Sequence, residues 1–237
     1  APINFTISAS RILNPETSGS YEIWLTGTYG DLQTEFEVPI LTDDQVSITA
    51  SVDTYISFNT TTTTGDNSVN LGELGFAGIT NSNDSSRTNE SGTTLPQDNI
   101  SLTLDTNAYG GTTIQVKSLN EGLKSTVTGN YVLSSATETL AINQNTISDT
   151  AGYGLQAQAT SVTTGTLSAQ TPYNGDGNAV GLIDATYRTI YATPTNSTSA
   201  PIVGGTASVR ILAVPARNTP AADDYTDTLT FRATSTY

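Results

Sequence analysis

Residues 99–118 read "NISLTLDTNAYGGTTIQVKS". Ile100, Leu102 and Leu104 alternate with Ser101, Thr103 and Asp105. Side chains of a β-strand point to opposite faces in turn, so this rhythm marks a strand with one buried face. The "AYGG" at 108–111 then turns the chain into a second such run, "TTIQVKS".

The same period of two extends outward in both directions. Towards the C-terminus it recurs at Tyr153, Leu155, Ala157 and Ala159, in "YRTIYATPT", at Ala207, Val209 and Ile211, and at Tyr225, Leu229, Phe231, Ala233 and Tyr237. Towards the N-terminus it recurs at Val46, Ile48, Ala50 and Val52, resuming at Ile56 and Phe58. It is present again at Phe36, Val38 and Ile40, where Pro39 marks an edge or a strand end. Further back it appears at Tyr21, Ile23 and Leu25, beside the only Trp, and at Ile3, Phe5, Ile7 and Ala9. Some ten to twelve strands at sandwich-like spacing follow from this pattern. The expected class is all-β. Residues 1–13 form an extended N-terminal strand, 14–19 ("NPETSG") a turn or linker, and 20–237 a single elaborated β-sandwich; two small sandwiches split near residue 98 are the alternative. The polar stretch 76–98 reads as a long surface excursion.

Composition agrees. Hydrophobic residues make up 35% and charged residues 13% of the 237-residue chain, while Thr reaches 44 and Ser 24. Thr is β-branched and prefers strands, so a hydroxyl-rich β surface is expected rather than disorder. The net charge of −14 repels phosphate backbones and anionic headgroups, which argues against nucleic acid as a partner. Cys, His and Met are absent. No disulfide framework or ordinary zinc site is therefore expected. No apolar run is long enough for a transmembrane helix. The chain starts at Ala1 rather than Met, which points to removal of a secretory signal and an extracellular, cell-surface location. Six Asn-x-Ser/Thr sequons, at Asn4, Asn59, Asn83, Asn89, Asn99 and Asn196, make glycans possible partners; chance at this composition gives about as many.

Little in the chain carries chemistry. Without His there is no base for a nucleophilic triad, and the acids lie mainly in loops, so no enzymatic activity and no cofactor are expected. "NSNDSS" (81–86) and "NGDGN" (174–178) offer oxygens for Ca²⁺ but read first as turns. Trp24, Tyr109, Tyr153 and Tyr173 are the aromatics that a carbohydrate-binding surface could use.

The opening strand matters more. Ile3, Phe5, Ile7 and Ala9 form an apolar face at a free end, followed by a flexible link in which Asn14-Pro15 disfavours helix. Such a strand either pairs within its own sheet or adds to the open edge of a neighbour.

The closing "PAADDYTDTLTFRATSTY" (220–237) resembles the last strand of many secreted bacterial and archaeal fibre subunits. The block "VSITASVDTYISFN", with "NSVNLGELGF", "ISLTLDTNAYGGTTIQVKS" and "AGYGLQAQ", is similar to secreted β-sandwich proteins and, more loosely, to camelysin/TasA-type biofilm fibre subunits and archaeal bundling pili. That resemblance implies a jelly-roll-like sandwich joined head to tail by an N-terminal donor strand, here Ile3, Phe5, Ile7 and Ala9. The expected function is thus a structural subunit of a pilus or surface filament, a homopolymer serving adhesion or biofilm. A monomeric carbohydrate-binding adhesin or a surface-layer lattice protein is the alternative.

Overall fold

The computed structural model describes residues 15–25, 34–40, 46–76, 78–136, 139–140 and 152–237. The N-terminal strand expected over 1–13 lies outside them. The fold is all-β, with thirteen strands and no helix among the described residues. It divides into two units, Ala1–Val52 and Asp53–Tyr237. Residues 20–52, expected as part of the sandwich, fall in the first of these units.

The first unit contains β1 (Gly19–Leu25) and β2 (Thr34–Ile40), paired antiparallel from Gly19↔Ile40 to Leu25↔Thr34. Pro39 is tolerated because β2 has β1 as its one described partner, leaving a free edge where no amide is needed.

The second unit is a two-sheet sandwich. One sheet contains β3 (Ile56–Thr62), β5 (Ile100–Thr106) and the long β12 (Ile202–Val214), joined by the short β4 (Thr80–Asn81) and by β9 (Gly152–Ala157). The other runs β10 (Ser168–Ala169), β11 (Arg188–Ala192), β6 (Thr112–Ser118), β13 (Leu229–Ser235). A small hairpin of β7 (Gly122–Ser125) and β8 (Tyr131–Ser134) completes the unit.

β12 is the spine. Val209 pairs with Ile100 of β5 on one edge and with Ala157 of β9 on the other, so the strand is covered along both sides. The alternation read from sequence becomes burial: Ile100, Leu102 and Leu104 face Ile114, Val116, Ile190 and Tyr191 of the opposite sheet in one continuous core. "AYGG" does not close a hairpin, because β5 and β6 belong to different sheets. Gly111, at φ 101°, carries the chain across, packed against the Pro194 carbonyl.

β9 is buried on both faces, which period-two reading does not foresee. Its inner face joins the main core, and its outer face is roofed by the stretch around Ala179 and Val180, where Gln156 Nε2 donates to the Ala179 carbonyl at 2.8 Å. A Cβ on Gly154 would sit 2.5 Å from the Val180 Cβ. Gly154→Ala is therefore expected to cost about 1–3 kcal/mol, read as a lowered urea midpoint.

Residues 46–52 differ from expectation. Their alternation predicts a strand, but 46–55 run without pairing partner, turn, bend or helix. Val46, Ile48 and Val52 are 86%, 88% and 87% exposed. The pattern asks for a buried face that no described residue supplies.

Candidate functional site

β3 and β13 are the neighbouring outer strands of the two sheets, and each has one free edge among the described residues. At one end the sandwich is closed between them. Tyr237 donates its hydroxyl to the Tyr55 carbonyl at 2.8 Å, and Ser235 and Thr112 hydroxyls lie 2.6 Å apart. At the other end it is open. A groove of about 1500 Å³ runs from Thr60 on β3 to Leu229 and Phe231 on β13, and reaches the core residues Ile100, Tyr153 and Ile211.

The exposure of the inward side chains shows what this opening means. Ile114 and Val116 of β6 are fully buried, whereas Leu229, Phe231 and Ala233, the matching inward positions of β13, are only partly buried. Phe58 on β3 and Val69, Leu71 and Leu74 on the following segment are partly buried in the same way. The inward apolar surface is left partly uncovered at this end of the edge. Free main-chain groups and half-covered apolar side chains together form a template for an added strand.

The groove wall over residues 67–76 has little regular structure of its own. Arg87 holds it. The guanidinium is buried and donates to three carbonyls: Asp84 at 3.0 Å through Nε, with Asn70 and Pro96 through its other nitrogens. Those carbonyls belong to separate stretches of the 67–98 region, so one side chain ties the excursion together. Asp98, also buried, accepts from the amides of Thr63 and Thr64 at 3.0 and 3.4 Å. The surface excursion expected over 76–98 is thus tied to the stretch around Asn70 as one stapled wall. Arg87 carried no signal in the sequence beyond being a lone cation in a Ser- and Asn-rich stretch, because its partners are set by tertiary structure.

The mouth of the groove is fixed by the "YTDT" of residues 225–228. Asp227 accepts from the Ser118 hydroxyl at 2.8 Å, the Asn120 amide at 3.1 Å and the Tyr153 hydroxyl at 3.1 Å. It thereby pins the start of β13 to the end of β6 and to the core. Burial, reinforced by the Asp227 carboxylate, pushes the Tyr153 phenol well above its ordinary value. Asp224 accepts from the Ser125 hydroxyl, the Val127 amide at 3.1 Å and the Thr126 amide at 2.7 Å. These donors, the Ser125 hydroxyl first, hold its carboxyl below the usual carboxylate range. Asp66 is lowered by the Thr64 hydroxyl first, and Asp84 by the Ser86 amide first.

The sign of the pH dependence follows. A carboxyl depressed in the folded state stabilises the fold above its unfolded value, near 3.8, and loses that contribution as pH falls through the folded value. With no His in the chain, no side chain of ordinary pKa titrates around neutrality. The melting temperature is expected to be flat between about pH 5 and 8 and to drop below about pH 4. Relief of repulsion from the −14 net charge acts the other way but is screened by salt, so the scan belongs near 0.15 M ionic strength.

Of the residues singled out by sequence, Ile3, Phe5, Ile7 and Ala9 lie outside the described residues. Tyr153 and Tyr173 are buried in the core, so they cannot serve a carbohydrate surface. Trp24 and Tyr109 are about half exposed, at 52% and 53%, and belong to different units. Asp84 uses its carboxylate on the Ser86 amide and hydroxyl, both at 2.8 Å, as a turn does. Among the described residues no group of three or more Asp or Glu is placed to hold a metal ion. Among the same residues no helix is long and apolar enough to cross a membrane. Of the sequons, Asn59 and Asn196 are exposed, whereas Asn83 and Asn99 are half-buried and bonded to each other at 3.0 Å. Comparison of the chain with protein-family models, with curated proteins and with solved structures gives no match.

Proposed function

We propose that the protein is a structural subunit of an extracellular surface filament, in which a strand from the N-terminal unit of one copy fills the groove of the next. The observation that carries this reading is the groove between the free edges of β3 and β13, which exposes one side of the core. A heterologous contact of this kind repeats without closing and so generates a fibre. Main-chain pairing along β13 gives the joint strength, and inserted apolar side chains contribute about 1.5–3 kcal/mol each. Ile3, Phe5, Ile7 and Ala9 are one candidate donor face, as the resemblance to pilus and biofilm-fibre subunits implies. Residues 46–52 are another.

Secretion fits the absence of Cys and Met, the side chains most easily oxidised. Exposed Asn59 and Asn196 would be the sequons open to glycans. The role is architectural rather than catalytic, serving adhesion or a biofilm matrix. Negative-stain microscopy of the purified chain over a concentration series tests it. Thin fibres of uniform width are the expected result. A monodisperse monomer at every concentration would exclude it, and flat two-dimensional arrays would favour a surface lattice instead.

A further inference from the structure

Within this head-to-tail reading, on which the inference rests, we propose that residues 46–52 of one copy are the strand that fills the groove between β3 and β13 of another, with Val46, Ile48, Ala50 and Val52 facing the core.

Three observations on the page choose this segment. The first is exposure. Large aliphatic side chains are usually the most buried residues of a fold, yet Val46, Ile48 and Val52 are 86–88% exposed on one face of an unpaired run. Strict alternation over seven residues has a physical use only where one face is covered.

The second is length. β3 and β13, which flank the groove, are each seven residues long. Residues 46–52 are long enough, at the same rise per residue, to span the open stretch of the edge that begins at Leu229 and Phe231.

The third is charge. The charged residues lining the groove, Glu73, Glu90, Asp223 and Asp227, are all acidic. Glu73, Glu90 and Asp223 are exposed at the rim and Asp227 is half-buried, so like-charge repulsion disfavours an acidic strand there and suits an uncharged one. Residues 45–52 are uncharged, and Asp43, Asp44 and Asp53 flank them. The insert is therefore bounded at both ends by charges suited to the rim.

The chain has no Cys, which makes mixed disulfide trapping clean. One chain carries Thr230→Cys, on the solvent-facing side of β13. A second carries Ser47→Cys, Thr49→Cys or Ser51→Cys, on the polar face of the segment. A third set carries Asn4→Cys, Thr6→Cys or Ser8→Cys, on the polar face of the opening strand. Because each chain holds one thiol, a disulfide between different variants is necessarily intermolecular. The pair is mixed, allowed to assemble, oxidised and run on a non-reducing gel. The expected result is a heterodimer from one of the 47, 49 or 51 variants, roughly tenfold above that from an Asn196→Cys control, since bridging needs Cα atoms within about 7 Å. Heterodimer from the 4, 6 or 8 set instead overturns this inference and leaves the head-to-tail reading standing. Heterodimer from neither set overturns both.

Discussion

Ile48→Asp is expected to abolish filament formation while leaving the sandwich folded. In the isolated chain the Ile48 side chain is 88% exposed, so replacing it removes no core contact, and its effect on stability should stay within about 0.5 kcal/mol. In the assembled state the same position would face Leu229, Phe231 and the acidic lining of the groove. Assembly would then lose the burial of one aliphatic side chain, about 1.5–3 kcal/mol, and place an unpaired carboxylate in a largely enclosed site, costing several more. Each 1.4 kcal/mol is tenfold, so the association constant should fall on the order of a thousandfold or further. Ser47→Asp, on the opposite face, keeps its carboxylate in water and should change assembly by less than about tenfold. Sedimentation reads the polymer, and thermal melting reads the fold. If Ile48→Asp polymerises like the wild type, residues 46–52 do not enter an apolar groove.

Arg87→Ala carries the largest expected effect on stability. The buried guanidinium donates to the carbonyls of Asp84, Asn70 and Pro96. Truncation leaves those carbonyls without their donor and opens a space at the centre of the 67–98 region. The cost is expected to be on the order of 3–5 kcal/mol, as for breaking other buried charged hydrogen-bond networks. For a unit of this size, that corresponds to a melting temperature lower by roughly 10 °C. Arg87→Lys should recover only part of the loss, because a single ammonium cannot span three divergent carbonyls as the planar fork does. Since the segment that Arg87 holds forms the groove wall, the Ala variant should also assemble less well at temperatures where it remains folded. A cost below about 1 kcal/mol would mean that other contacts fix the wall.

These expectations rest on features of unequal visibility in the sequence. The strands themselves are legible, since Ile100, Leu102 and Leu104, or Val209 and Ile211, alternate and are buried as that alternation requires. Sheet membership is not. Nothing local tells that "AYGG" passes between sheets, because that depends on how Gly110 and Gly111 pack against residues around Thr236 and Pro194, more than eighty positions away. The two-faced burial of β9 is hidden for a similar reason: its roof at Val180 is a loop, and loops carry no periodicity. In sequence Tyr153 and Tyr173 could serve a carbohydrate surface or, more commonly, the core; in the fold their hydroxyls find Asp227 and the Leu182 carbonyl inside it.

The groove was legible only through its complement. Residues 46–52 have the pattern of a half-buried strand, and that pattern is correct chemistry for a segment whose partner lies elsewhere. The resemblance to fibre subunits implies a donor role for the opening strand, with pairing inside its own sheet as the alternative. Exposure in the fold points to the internal segment, which period alone cannot rank above it. The acceptor side, built from Leu229, Phe231, Leu71 and Leu74 on distant stretches, is a property of tertiary structure and has no short motif.

The most direct test is a helical reconstruction of the proposed filament by electron cryo-microscopy, at a resolution that identifies side chains between β3 and β13. The expected density is a strand from the neighbouring subunit, with Val46, Ile48, Ala50 and Val52 turned towards Phe231. A gap that is empty, or filled by the subunit's own chain, would contradict it.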